Sequence, residues 1–103
     1  LNKMIKRLNK QTDQIDLIIC VDEMFASNVK KIIYYTQGHR DNYIEPAFDI
    51  QNDVIVVALP TQELDSLDAG ILMRDVEYWV EDNLYPDSKR NVILTDNMEL
   101  WIC

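Results

Sequence analysis

Gly70-Ile71-Leu72-Met73-Arg74-Asp75-Val76-Glu77-Tyr78-Trp79-Val80 alternates in character residue by residue. Leu72, Val76, Tyr78 and Val80 fall on one side, interrupted only by Arg74. Met73, Asp75, Glu77 and Trp79 fall on the other. A period of two predicts a β-strand with one face on a core and the other turned to a more polar environment. Upstream, Asp53-Val54-Ile55-Val56-Val57-Ala58-Leu59 is a dense β-branched run stopped by Pro60, and it reads as a second strand. Between them, Thr61 to Leu67 fits a helical turn, with Thr61 as cap and Leu64 and Leu67 on one face.

The same reading extends to both ends. Ile15 to Val21 and Val29 to Thr36 are strand-like, and Gln37 to Tyr43 is polar and reads as a loop. Glu45 to Ile50 is a short strand whose Pro46 suits an edge or a strand start, and Gln51-Asn52-Asp53 is a turn. Glu81 to Asn91 is a loop around Tyr85-Pro86-Asp87. Asn91 to Leu94 and Met98 to Cys103 are strands joined through Thr95-Asp96-Asn97. The expectation is an all-β sandwich of about seven strands with turn signals roughly every 8–12 residues. Residues 1–13 form a basic N-terminal arm, with Met4, Ile5 and Leu8 as a weak helical stripe, and 14–103 form a single domain.

The bulk numbers bound the function. The chain has 103 residues, 18 Asp+Glu against 10 Lys+Arg, and a formal net charge of −8. That charge disfavours nucleic acid and anionic membrane surfaces. No apolar run approaches the roughly 18 residues of a membrane span. Lys3, Lys6, Arg7 and Lys10 carry four of the ten basic charges, and no acid falls among residues 1–10. They resemble the basic end of a signal peptide, but no apolar core follows them directly, so no secretion signal is read. The arm reads as solvated, or as docked on an acidic neighbour that includes a copy of itself. Cys20 and Cys103 both lie in apolar runs and read as reduced thiols serving as small apolar residues. A bridge between them requires their strands to lie side by side.

Catalytic signatures are absent. The one histidine, His39, lies in a polar stretch, and Ser27, Ser66 and Ser88 lack a nucleophile-elbow context. No zinc or EF-hand spacing occurs, and Asp65-Ser66-Leu67-Asp68 and Glu81-Asp82 read as solvated acidic turns. Two glycines, Gly38 and Gly70, cannot build a phosphate-binding loop. The reading is therefore a non-enzyme with no catalytic residues, no metal and no cofactor. The aromatics carry what signal remains. Trp79 lies with Met73 on the more polar strand face, and Tyr85 lies in the following loop. Met73, Trp79 and Tyr85 make a candidate interface, as a protein-contact anchor or a sugar platform, unless the arm or a loop covers that face.

Taken together, Asp53 to Pro60, Leu64, Leu67, Gly70-Ile71-Leu72, Val76-Glu77-Tyr78, Asp82 and Tyr85-Pro86-Asp87-Ser88-Lys89-Arg90-Asn91 resemble small Ig-like domains of phage and prophage tail or baseplate proteins. The likeness is to the N-terminal domain of upper baseplate proteins, including those of Bacteroides-type bacteria. It covers the second half of the chain, and the first half only as a series of strands. Ser88 departs from the glycine that often follows Pro-Asp in that family. The resemblance implies an immunoglobulin-like antiparallel sandwich and a structural part of a virion that self-associates or docks on other tail proteins. The location it implies is the virion or the bacterial cytoplasm. It gives Gly70 the turn into the long strand and Pro86 and Asp87 the structure of the loop. The alternatives are a cell-surface Ig-like binding module, adhesin or carbohydrate-binding, and an acidic cytoplasmic interaction protein.

Overall fold

The computed structural model describes residues 6–8, 15–20, 26–59 and 61–102, with side chains for 26–59 and 62–102. The fold is all-β, in mostly antiparallel sheets. Eight strands run in chain order: β1 (Lys6–Leu8), β2 (Ile15–Cys20), β3 (Val29–Thr36), β4 (His39–Ile44), β5 (Phe48–Gln51), β6 (Val54–Leu59), β7 (Gly70–Glu81) and β8 (Lys89–Ile102). They form a five-stranded sheet in the order β1-β8-β7-β3-β4 and a three-stranded sheet in the order β2-β6-β5. Only the β1–β8 pair is parallel among the described ladders.

One core joins the two sheets. Ile55, Val57 and Leu59 alternate inward along β6 and are fully buried. They share a cluster with Ile32 and Tyr34 of β3, Leu72, Val76 and Tyr78 of β7, and Ile102 of β8. Each fully buried aliphatic side chain contributes about 1.5–3 kcal/mol. The turn at Thr61–Ser66 is a 3-10 helix that sends Leu64 and Leu67 into the same core. Arg74 interrupts the inward face of β7 without leaving a bare charge. Its guanidinium reaches Asp96 on β8 at 2.9 Å, at the register position directly opposite.

Three elements differ from the sequence reading. Gln37 to Tyr43 is not a loop: Gln37-Gly38 makes a two-residue turn, and His39–Ile44 returns as an edge strand on β3. Five of its six residues are exposed, so no apolar alternation marks it. Asn91–Leu94 and Met98–Cys103 are not separate strands, because β8 runs unbroken through Thr95-Asp96-Asn97. A bulge follows, where three residues, Met98 to Leu100, stand against Leu72 alone, with Glu99 at φ 57°. The bulge adds two residues, an even number, so Met98, Leu100 and Ile102 keep facing the core side. Finally, Lys6–Leu8 within the basic arm is an edge strand on β8, not a helix. The remainder of residues 1–13, the Cys20 side chain, Cys103 and the Thr61 cap lie outside the described residues or side chains.

Gly70 sets where β7 begins. Its φ is +143°, and a Cβ there would stand 2.6 Å from Cγ2 of Thr36. Thr36 is itself fixed, because its Oγ1 donates to the Asp68 carbonyl at 2.5 Å. Gly70→Ala is therefore expected to lower the unfolding free energy by about 2–3 kcal/mol. Chemical denaturation measures this, and a loss within about 0.5 kcal/mol, the range of neutral surface changes, would contradict it.

Candidate functional site

The outward residues of the five-stranded sheet form rows across the strands. Ile93, Glu77 and Lys31 are in register, as are Thr95, Asp75 and Ile33, and Asn97, Met73, Tyr35 and Tyr43. Ile71 lies opposite Trp101. At the centre is Asp75, with a side chain only 4% exposed. Oδ1 accepts hydrogen bonds from Tyr35 Oη at 2.7 Å and Thr95 Oγ1 at 2.8 Å. Oδ2 meets Arg40 Nη2 at 2.6 Å. Arg40 comes from a bulge in β4, where residues 40–42 have no partner on β3 between the Tyr35–Tyr43 and Thr36–His39 pairs. With Oδ1 hydrogen-bonded and Oδ2 ion-paired, the carboxylate braces the strands around it.

The far end of β7 builds a second feature. The loop after Glu81 is closed by its own backbone. Asp82 N donates to Ser88 O at 2.9 Å, Tyr85 N to Asp82 O at 3.2 Å, and Ser88 N to Tyr85 O at 2.9 Å. Pro86 takes the second position of the Tyr85–Ser88 turn, where its fixed φ is suited. Ser88 has φ 55°, in the left-handed region that favours glycine. Asp82 ties the loop to β8, accepting from Leu84 N at 3.0 Å and from Arg90 Nε at 3.1 Å. This frame holds an open groove of about 930 Å³ lined by Lys30, Trp79, Tyr85, Asp87, Lys89, Arg90 and Asn91. The Lys89 ammonium stands 4.4 Å over the Trp79 ring, a cation–π contact.

The structure brings Trp79 and Tyr85 together in this groove. Trp79 is half-buried rather than freely exposed, whereas Tyr85 is 46% exposed. Met73 shares the sheet face but lies six residues along β7, and it does not line the groove. Gly70 opens the strand, Pro86 and Asp87 occupy the middle of the Tyr85–Ser88 turn, and Asp87 lines the groove. Sequence reasoning missed Asp75 and its partners. The available signal was an acid in the middle of a strand of this apolar character. Tyr43, Ile93 and Trp101 on this face, 46%, 49% and 40% exposed, were also missed. His39 lies exposed on β4 with Nδ1 3.4 Å from Asp68. No group of three or more His, Cys, Asp or Glu suited to a metal ion occurs among the described residues. No helix among them is long and apolar enough to cross a membrane.

Two tyrosines record the environment of the sheet. Burial raises the Tyr34 hydroxyl above its ordinary pKa of 10.0, opposed by the neighbouring Arg74. Burial also raises Tyr35, reinforced by its hydrogen bond to Asp75 and by the charge of that carboxylate. A raised native pKa makes the unfolded chain release these protons first. Their contribution to stability is whole below the unfolded value, and it is lost as pH rises through the native values. Denaturation at rising alkaline pH is expected to show stability falling above about pH 10 as these two phenols ionise. Stability that stays constant from about pH 9 to about pH 12 would contradict this. Compared with family models, curated proteins and solved structures, the chain finds no match.

Proposed function

We propose that this chain is a non-enzymatic, immunoglobulin-like β-sandwich that works by protein–protein assembly, as a structural part of a phage or prophage tail or baseplate. The observation that carries the assembly reading is the outward face of the five-stranded sheet. Tyr43, Ile93 and Trp101 are exposed there, and Met73 and Trp79 are half-buried. Large apolar side chains grouped on one sheet face are the kind of surface a partner covers. The face is also held in shape by the Asp75 brace, which lowers the ordering cost of binding. The virion setting comes from the resemblance over Asp53–Asn91 and places the protein in the virion or the host cytoplasm, with other tail proteins or its own copies as partners. Two sheets sharing one core support the sandwich form of that family.

A sugar-binding surface module is the second reading, favoured by Trp79 and Tyr85 in one groove. The Lys89 ammonium over the Trp79 ring weighs against it, because a stacking sugar needs that face free. An acidic interaction protein rests on the net charge of −8 alone.

Two measurements test the proposal. Genes for tail, baseplate or capsid proteins on either side of this one are expected. Neighbours for polysaccharide uptake or surface export would contradict the virion setting. In sedimentation velocity, Trp79→Ala is expected to weaken assembly about tenfold while leaving thermal unfolding unchanged. Collapse of the fold in Trp79→Ala would make Trp79 a core residue and remove it from the interface.

A further inference from the structure

We infer that the groove at the β7–β8 hairpin receives the acidic 3-10 turn of a second copy of this chain, in a head-to-tail contact. The inference rests on the assembly reading above and names its partner. After residue 10 the chain has six basic residues against 18 acidic ones, and three of the six, Lys30, Lys89 and Arg90, line this one groove beside a single acid, Asp87.

Lys89 differs from the other cations. Lys30 pairs with Glu77, Lys31 with Glu45, Arg40 with Asp75, Arg74 with Asp96 and Arg90 with Asp82. Among the described side chains, Lys89 alone of the Lys and Arg residues has no carboxylate at ion-pair distance. It rests on Trp79 instead. Glu81 stands opposite Lys89 in the ladder and Asp87 lines the same groove, yet neither closes an ion pair with it, so the ammonium held over the ring is open to a carboxylate from outside.

The chain itself carries a matching surface. The 3-10 helix Thr61–Ser66 is anchored by Leu64, which is fully buried, and by Leu67 just beyond it, which is 4% exposed. This anchoring holds Glu63 and Asp65 outward in a fixed shape, and neither makes an ion pair among the described residues. A preordered acidic knob loses little entropy on docking. It cannot reach the groove of its own chain. The turn leads into Gly70 at one end of β7 and the groove lies beyond Glu81 at the other, roughly 35 Å apart at strand rise. Two different patches that complement each other on separate copies make a heterologous contact, which repeats into a ring or an open chain.

Sedimentation velocity on the full chain tests this with two variants. Lys89→Glu spoils the groove and leaves the turn intact. Glu63→Gln with Asp65→Asn neutralises the turn and leaves the groove intact. All of these sites are exposed, so circular dichroism and thermal unfolding are expected to match the unaltered chain. The unaltered chain is expected to form species beyond the dimer that dissociate as salt rises from about 50 to 500 mM. Each variant alone is expected to associate at least about tenfold more weakly. Mixed in equal amounts, the two variants are expected to stop at a one-to-one dimer, because only one productive contact remains. If the unaltered chain associates and both variants match it, the head-to-tail contact is overturned and assembly uses another surface. If the unaltered chain stays monomeric at millimolar concentration, the contact is overturned as well. The virion setting is then judged separately on its neighbouring genes.

Discussion

The carboxylate of Asp75 ties together four strands of the five-stranded sheet. It lies on β7, takes hydrogen bonds from Tyr35 on β3 and Thr95 on β8, and pairs with Arg40 from the bulge of β4. Taking a carboxylate out of water is costly, and here two hydroxyl donors and a guanidinium offset that cost together. Removing any one of them leaves the others facing a charge less well compensated. The arrangement also explains why β4 stays in the sheet. Its residues are almost all exposed, so it has little apolar burial of its own, and Arg40 gives it an anchor at the sheet centre.

The opposite face of β7 uses related chemistry for a different end. Arg74 lies among Leu72, Val76 and Tyr78, and its charge is met by Asp96 across the β7–β8 ladder. Thus β7 carries a compensated acid outward and a compensated base inward at adjacent positions. Thr95 and Asp96 on β8 serve one each. These polar contacts set the β7–β8 register alongside the apolar pattern, and a wrong register would leave both charges unpaired. Register then fixes where the hairpin closes and so where Trp79 and Lys89 meet. The groove at the hairpin and the acidic turn before Gly70 are placed at opposite ends by the length of the same strand.

Much of this fold is legible in the residues, for physical reasons. β6 and β7 show a period of two or a dense β-branched run because one face of each is buried in the core. The β5–β6 turn at Asn52-Asp53 is legible because both residues tolerate positive φ, and both adopt it, at 51° and 63°. What stays hidden is polar structure. β4 has no apolar face, so its pairing depends on the tight Gln37-Gly38 turn and on contacts made by other strands. Thr95-Asp96-Asn97 looks like a turn because its residues are turn formers. In the fold Thr95 and Asp96 are partners of buried charges, and Asn97 Oδ1 accepts from Glu99 N at 2.8 Å in the bulge. For the candidate site, Trp79 and Tyr85 were legible as aromatics near a turn. Lys89 was not, because its meaning comes from the ring beneath it and the carboxylates it lacks.

The Asp75 charge holds β4 onto the sheet and shapes the outward face. Native-state hydrogen exchange on Asp75→Asn is the decisive measurement, since the amide keeps the size of the side chain and removes the charge. The amides of residues 39–44 that bond to β3 are expected to lose protection by at least about tenfold, while β7 and β8 keep theirs. Unchanged protection in β4, or an equal loss over the whole sheet, would contradict it.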